Sequence, residues 1–252
     1  ALTVYYCWEG IKNNNYTNWL LFGFFAALGI LSKYIFIYLL LSIDIFILYL
    51  IIKKKFNFKC LISLITFFAV LVPHIIWLVD NNFTTINYAL HRAGTEDTNF
   101  FVGHLFYPLL FLVKQIGIFI PFLILFFFIK LKLKKKLNFK DKKLIFLITI
   151  NIIPLALMFL TSLVIGAQIR TMWMVPFYLF SGVLFVYIYK EKIFLNKLKN
   201  FFLLFLILFI FSPATYFYIS ISQTDKRTDY PGAKIAKAVQ EKWDSNFSDT
   251  IK

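Results

Sequence analysis

Apolar runs of about 18 residues or more recur along this 252-residue chain, and most are closed by short lysine-rich breaks. That length is what a hydrocarbon core of about 30 Å demands of a helix, because only a helix or a closed barrel satisfies its backbone without water. The barrel fails here: its strands alternate polar and apolar residues, whereas these runs are continuously Phe, Leu and Ile. Hydrophobic residues make up 60% of the chain and aromatic ones 21%, including 33 Phe. A soluble domain is nearer ~45–50% apolar. The fold class read from this is all-α: a polytopic transmembrane helix bundle of about seven membrane helices.

In chain order, residues 1–18 read as the tail of a helix and a polar loop. Membrane helices are predicted near 19–31, 35–52, 60–79, 105–129, 144–165, 172–189 and 201–219. The first is rich in small residues (Gly23, Ala26, Ala27, Gly29), which lets a neighbouring helix approach closely. Pro108, Lys114-Gln115, Gly117 and Pro121 are expected to interrupt the fourth, and Pro154 lies inside the fifth. Residues 1–219 form the membrane domain, and 220–252 read as the start of an extracytoplasmic soluble segment.

The net charge of +15 raises nucleic acid as a partner, but the lysines sit in clusters at 53–59, 130–143 and 190–199. Such clusters anchor cytoplasmic loops, and a bundle of this kind offers no basic groove, so nucleic-acid binding is excluded. The clusters fall on alternate helix ends. The turn at 32–34, the 80–104 segment, the turn at 166–171 and the C-terminal tail therefore share the extracytoplasmic face, as in a multi-pass protein of a bacterial inner or plasma membrane. Cys7 and Cys60 lie near predicted cytoplasmic ends, which disfavours a disulfide, and no ligand spacing for a metal site is present.

Polar chemistry concentrates in residues 73–104, where all three histidines (His74, His91, His104) lie together with Arg92, Asp80, Glu96 and Asp97. Lys33 and Arg170 join them on the same face. Lys33 either snorkels to the interface or meets an anionic group such as a lipid phosphate. Arg170 and Arg92 offer the bidentate fork that phosphate favours. Trp173 reads equally as an interfacial belt residue. His91 is a general-base candidate by its ordinary titration range, or a hydrogen-bonding loop residue. His74, after Pro73, is expected to cap a kinked backbone, and the carboxylates to contact acceptor, metal or solvent. Asp44, isolated in the second helix, is expected to pair with a neighbouring helix.

The segment AALGILSKYIFIYLLL resembles the small-residue helix, L-[ST]-K turn and apolar helix of GT-C-type membrane glycosyltransferases. These include bacterial relatives of the protein O-mannosyltransferases and the aminoarabinose transferase that modifies lipid A. PHIIWLVDNNFTTINYALHRAG, FFVGHLFYPLLFLVKQIGIFIPFLI, QIRTMWMVPFYLF and RTDYPGAKIAKAVQEKWD are similar, in the same order, to later segments of that family. The resemblance implies a polyprenyl-phosphate-linked sugar as donor, its phosphate held by Lys33, by Arg92 and by the aromatic Trp173 before Pro176. Family members often carry Tyr at that last position; indole N–H also donates. The family's catalytic carboxylate lies in a loop upstream of Ala1, so this chain is expected to be part of a longer protein. Within it, His91 and Asp80 remain as candidates for a base.

The function expected is sugar transfer from a polyprenyl-phosphate donor to a lipid, glycan or protein acceptor at the extracytoplasmic surface, with membrane lipids as surroundings. The alternative is a transporter or flippase of a lipid-linked sugar, which would favour repeats and broken helices at the midplane. A purely structural membrane subunit leaves the extracytoplasmic cations unexplained. No cofactor is assigned, and a divalent metal is allowed as an aid to the phosphate's departure. Lys33, Arg92, Arg170 and Trp173 are expected to surround the donor phosphate, with His74 and His104 toward the acceptor or loop.

Overall fold

The computed structural model of the chain describes residues 1–54, 58–93, 99–128, 137–189, 198–222 and 231–247. They are helical, with no strand among them. Two units are present, Ala1–Leu195 and Asn196–Lys252. The first contains α1 (Leu2–Asn13), α2 (Tyr16–Ser32), α3 (Ile37–Ile52), α4 (Ser63–Asp80), α5 (Thr84–Arg92), α6 (Tyr107–Phe128), α7 (Lys142–Ile165) and α8 (Ser181–Tyr189). The second contains α9 (Leu198–Ser222) and α10 (Gly232–Asp244). Among the described residues, five helical spans are long and apolar enough to cross a membrane: Tyr34–Ile52, Phe58–Asp80, Val102–Phe127, Lys142–Ile165 and Leu198–Ser222. Two shorter apolar stretches, Tyr16–Ser32 and Val175–Tyr189, bring the total to the seven expected. The chain is an integral membrane protein with an all-α, polytopic fold.

Lipid is as apolar as leucine, so burying apolar surface does little to hold such helices together; close packing and polar contacts do. At the start of the bundle, α1 turns back through Asn14 in the left-handed conformation, and the Asn15 side chain accepts from the Thr17 N–H to cap α2. That cap draws Tyr16, Thr17 and Asn18 into a helix expected to begin at Trp19. The small residues of α2 do what their size suggests. A Cβ on Gly23 would lie 2.0 Å from the Ser63 carbonyl oxygen, and Thr66 Oγ1 donates to the Leu20 carbonyl at 2.8 Å.

α3 packs antiparallel on α7. Phe46 meets Phe146 at 5.1 Å near one end, and the Tyr38 hydroxyl donates to Thr161 Oγ1 at 2.9 Å near the other. α6 runs parallel to the stretch that ends in α8: Phe119 meets Tyr178 at 4.6 Å, and Phe126 meets Phe185 at 4.9 Å further along both. Lys59 reaches the Asn14 carbonyl and stands over the Tyr16 ring, while the Tyr187 hydroxyl donates to Asp141 beside Lys143. These contacts belong to the lysine-rich end. The other end gathers the turn at Lys33, the start of α6 and the loop after α7.

Three departures from the sequence reading concern backbone chemistry. The 80–104 segment is not all loop, since α5 forms within it. α6 is not broken at Pro121 or Gly117; instead, a π-turn at Val102–Phe106 runs straight into α6 just before Pro108, and this wider turn accommodates the residue that lacks an N–H. The sixth membrane stretch does not start as an α-helix at Met172. It enters through two 3₁₀ segments, Thr171–Trp173 and Val175–Phe180, and becomes regular only at Ser181.

Candidate functional site

α2 ends at Ser32, and Lys33 leaves the helix in an extended conformation before the 3₁₀ turn Tyr34–Phe36. Its N–H donates to the Gly29 carbonyl at 3.1 Å, and its own carbonyl accepts from the Phe36 N–H at 2.9 Å. Phe36 folds back so tightly that a Cβ on Gly29 would lie 2.3 Å from its ring. Glycine is what permits this reversal. The Lys33 side chain is exposed and makes no hydrogen bond or ion pair with the described residues.

Beside Lys33 opens a cleft of about 430 Å³, within the ~300–1,000 Å³ range of small-molecule sites. The last turn of α2, Lys33, Tyr34, His74, Trp77 and Thr85 line it. The Tyr34 hydroxyl lies 2.8 Å from His74 Nε2 and 2.8 Å from Thr85 Oγ1. The rings of Tyr34, His74 and Trp77 form a column with successive centroids 5.8 Å apart. His74 therefore reaches out of α4 toward Tyr34, and Pro73 sits inside an unbroken helix. The backbone-capping role expected of His74 gives way to a role in this cleft. Asp80, the last residue of α4, is exposed.

α5 carries the site away from the cleft. Thr85, near its start, lines the cleft, while His91 and Arg92 stand at its other end. Seven residues of α-helix rise about 10 Å. Arg92 Nη1 donates to the Tyr88 hydroxyl at 3.2 Å. The Ala93 carbonyl then accepts from the Gln168 N–H at 3.0 Å, which ties the end of α5 to the loop between α7 and Arg170. That loop begins at Gly166, left-handed at φ 72°, where the α7 chain turns. His104 braces it: Nδ1 lies 2.8 Å from the Leu163 carbonyl and the ring packs on Gly166. Arg170 is exposed and without a hydrogen-bond or ion-pair partner among the described residues. Trp173 is half-buried, with part of its ring against the core.

Two basic groupings result, at the two ends of α5. Lys33 stands with His74, Tyr34, Trp77 and Thr85. Arg92 stands next to the loop that carries Arg170. Neither arginine lines the Lys33 cleft. Glu96 and Asp97 lie outside the described residues. Among the described residues no group of three or more His, Cys, Asp or Glu side chains is placed to hold a metal ion. Asp44, expected to find a partner, makes no hydrogen bond or ion pair within the described residues. It lines a second, apolar cavity of about 390 Å³ between α2, α3 and α4. Tyr34, Trp77 and Thr85 are site residues that the sequence reading did not name as such. An aromatic in an apolar run looks like any membrane aromatic, and a lone Thr carries no signal.

No curated protein and no solved structure matches the chain. A family model does match residues 1–77. That stretch contains Lys33, Tyr34, His74 and Trp77, and it stops short of Thr85 and both arginines. The family is the one that the L-S-K turn suggested: over those 77 residues the chain is similar to the dolichyl-phosphate-mannose-protein mannosyltransferases, membrane glycosyltransferases of GT-C type.

Proposed function

We propose that the protein transfers a sugar from a polyprenyl-phosphate-linked donor to a lipid, glycan or protein acceptor at the extracytoplasmic surface of a bacterial plasma membrane. One observation carries this: Lys33, with no hydrogen-bond or ion-pair partner among the described residues, stands beside a cleft of ligand size, inside the stretch that matches a glycosyltransferase family. In the reaction, an acceptor oxygen or nitrogen attacks the anomeric carbon as the bond from that carbon to the phosphate oxygen breaks. The bonding pair leaves with the polyprenyl phosphate, and a base takes the acceptor's proton. The charge that grows on the leaving phosphate is what a fixed ammonium stabilises. Lys33 takes that role. Arg92 and Arg170 flank the donor from the far end of α5. His91 and Asp80 are the first residues to test as base, and a divalent metal remains an open participant.

The direct test is turnover by the full-length protein reconstituted in vesicles, with a panel of polyprenyl-phosphate sugars. Release of polyprenyl phosphate coupled to a glycosylated acceptor is expected with one member of the panel. Movement of intact donor across the vesicle membrane without cleavage would establish the transporter reading instead. Sidedness is read separately by labelling an Arg92→Cys variant with an impermeant thiol reagent. Labelling is expected from the outer face, and labelling from the lysine-cluster face would overturn the site assignment.

A further inference from the structure

The Lys33 side chain has no polar tether: it makes no hydrogen bond or ion pair with the described residues. The Lys33 backbone lies in the break between α2 and the following 3₁₀ turn. The next residue supplies the missing constraint. The Tyr34 hydroxyl bonds both to His74 of α4 and to Thr85 of α5, residues 40 and 51 positions away in sequence. We infer that Tyr34 is a positioning residue for donor binding: its hydroxyl latches α4 and α5 to the Lys33 turn, and so sets where the ammonium stands over the cleft. This rests on the reading that the cleft binds the donor phosphate.

The chemistry of the latch is specific. A phenol has one proton to give and lone pairs to receive with, so it serves two partners at once. With Nε2 of His74 unprotonated, Tyr34 donates to His74 and accepts from Thr85. With Nε2 protonated, Tyr34 accepts from His74 and donates to Thr85. Both bonds survive in either state of the imidazole. The groups facing this point are Lys33 from the turn, His74 from α4 and Thr85 from α5. Phenylalanine at position 34 keeps the ring contact with His74 and loses both bonds.

The test uses the full-length protein in vesicles and measures binding of a polyprenyl-phosphate sugar, with Lys33→Ala as the reference for the site. Tyr34→Phe is expected to weaken binding about tenfold with the protein still folded by its thermal transition. His74→Ala is expected to weaken it severalfold and His74→Gln, whose amide reaches the same point, to restore it. Because Tyr34 and His74 act through one bond, the double variant Tyr34→Phe/His74→Ala should bind no worse than Tyr34→Phe alone. Normal binding by Tyr34→Phe, with binding lost in Lys33→Ala, would overturn the latch and leave the donor site standing. Fully additive losses in the double variant, or no rescue by Gln, would also overturn it. Unchanged binding in Lys33→Ala would remove the donor-site reading itself.

Discussion

The bundle contains two polar clusters of similar make-up and opposite character. At the end of α2, Tyr34, His74 and Thr85 line a cleft with Lys33 at its lip, a cation without a hydrogen-bond or ion-pair partner among the described residues. In the middle of the bundle, Asn151 of α7 accepts from the Ser181 hydroxyl of α8 at 2.9 Å and donates to the Leu147 carbonyl at 2.7 Å, and the Tyr178 hydroxyl donates to Gln115 of α6. Asn151, Ser181 and Gln115 are buried. Both clusters join separate helical segments through hydroxyl, amide or imidazole groups. In the interior one, the Asn151 and Gln115 side-chain oxygens each accept from a hydroxyl of another segment, as polar residues in membranes commonly do. The cleft leaves Lys33 unspent. What separates a site from a strut here is that leftover charge and the space beside it.

This contrast is open to measurement, and the largest effect belongs to the cleft. A charge-assisted contact contributes roughly 1.5–3 kcal/mol. Lys33→Ala should therefore weaken donor binding by about one to two orders of magnitude, while the thermal transition in detergent or vesicles stays where it was. A large fall in stability would mean that Lys33 is a strut after all.

Asn151→Ala should do the reverse. It strips the Ser181 hydroxyl of its acceptor in a buried place, which costs about 1–2 kcal/mol, and donor binding should hold once folded protein is compared with folded protein. Reversible unfolding in mixed detergent reads the first quantity and donor titration the second. Loss of binding without loss of stability would erase the distinction between the clusters.

The smallest effect tests whether the interior cluster is fully matched. Gln115 Nε2 is buried and has no partner among the described residues. Tyr178→Phe alone leaves the whole Gln115 amide without its partner and should cost about 1 kcal/mol. The double variant Tyr178→Phe/Gln115→Leu removes both halves and the orphan amine, and should lie close to the parent in stability. A double variant much less stable than the single one would show that the pair does more than satisfy itself.

Much of this architecture was readable from residue type. Continuous apolar runs and lysine clusters gave the membrane helices and grouped their ends, because bilayer thickness and the cost of buried charge leave few alternatives. Gly23 and Gly29 announced close approach, and each is where another segment comes within a Cβ's reach. Lys33 was legible as a lone cation in apolar surroundings. Its neighbours were not, because Tyr34, Trp77 and Thr85 meet only after α4 and α5 have folded back across the end of α2. No local pattern records a contact between residues 51 positions apart. Prolines misled for a related reason: Pro108 and Pro121 lack an N–H, but helices in a membrane absorb that gap through π-turns and neighbouring packing.

α5 is nine residues long and is anchored at both ends, by Thr85 to Tyr34 and by Ala93 to Gln168. It works as a ruler. Its length in residues fixes both how far Arg92 stands from Lys33 and which way round the helix axis it points. One alanine inserted after Thr85 would add about 1.5 Å and turn everything beyond it by about 100°. Composition, charge and hydropathy would be almost unchanged, yet Arg92 would swing to another side and the Ala93–Gln168 bond would lose its register. Relatives that keep both basic groupings in use should therefore conserve the count of residues in this segment more strictly than their identity.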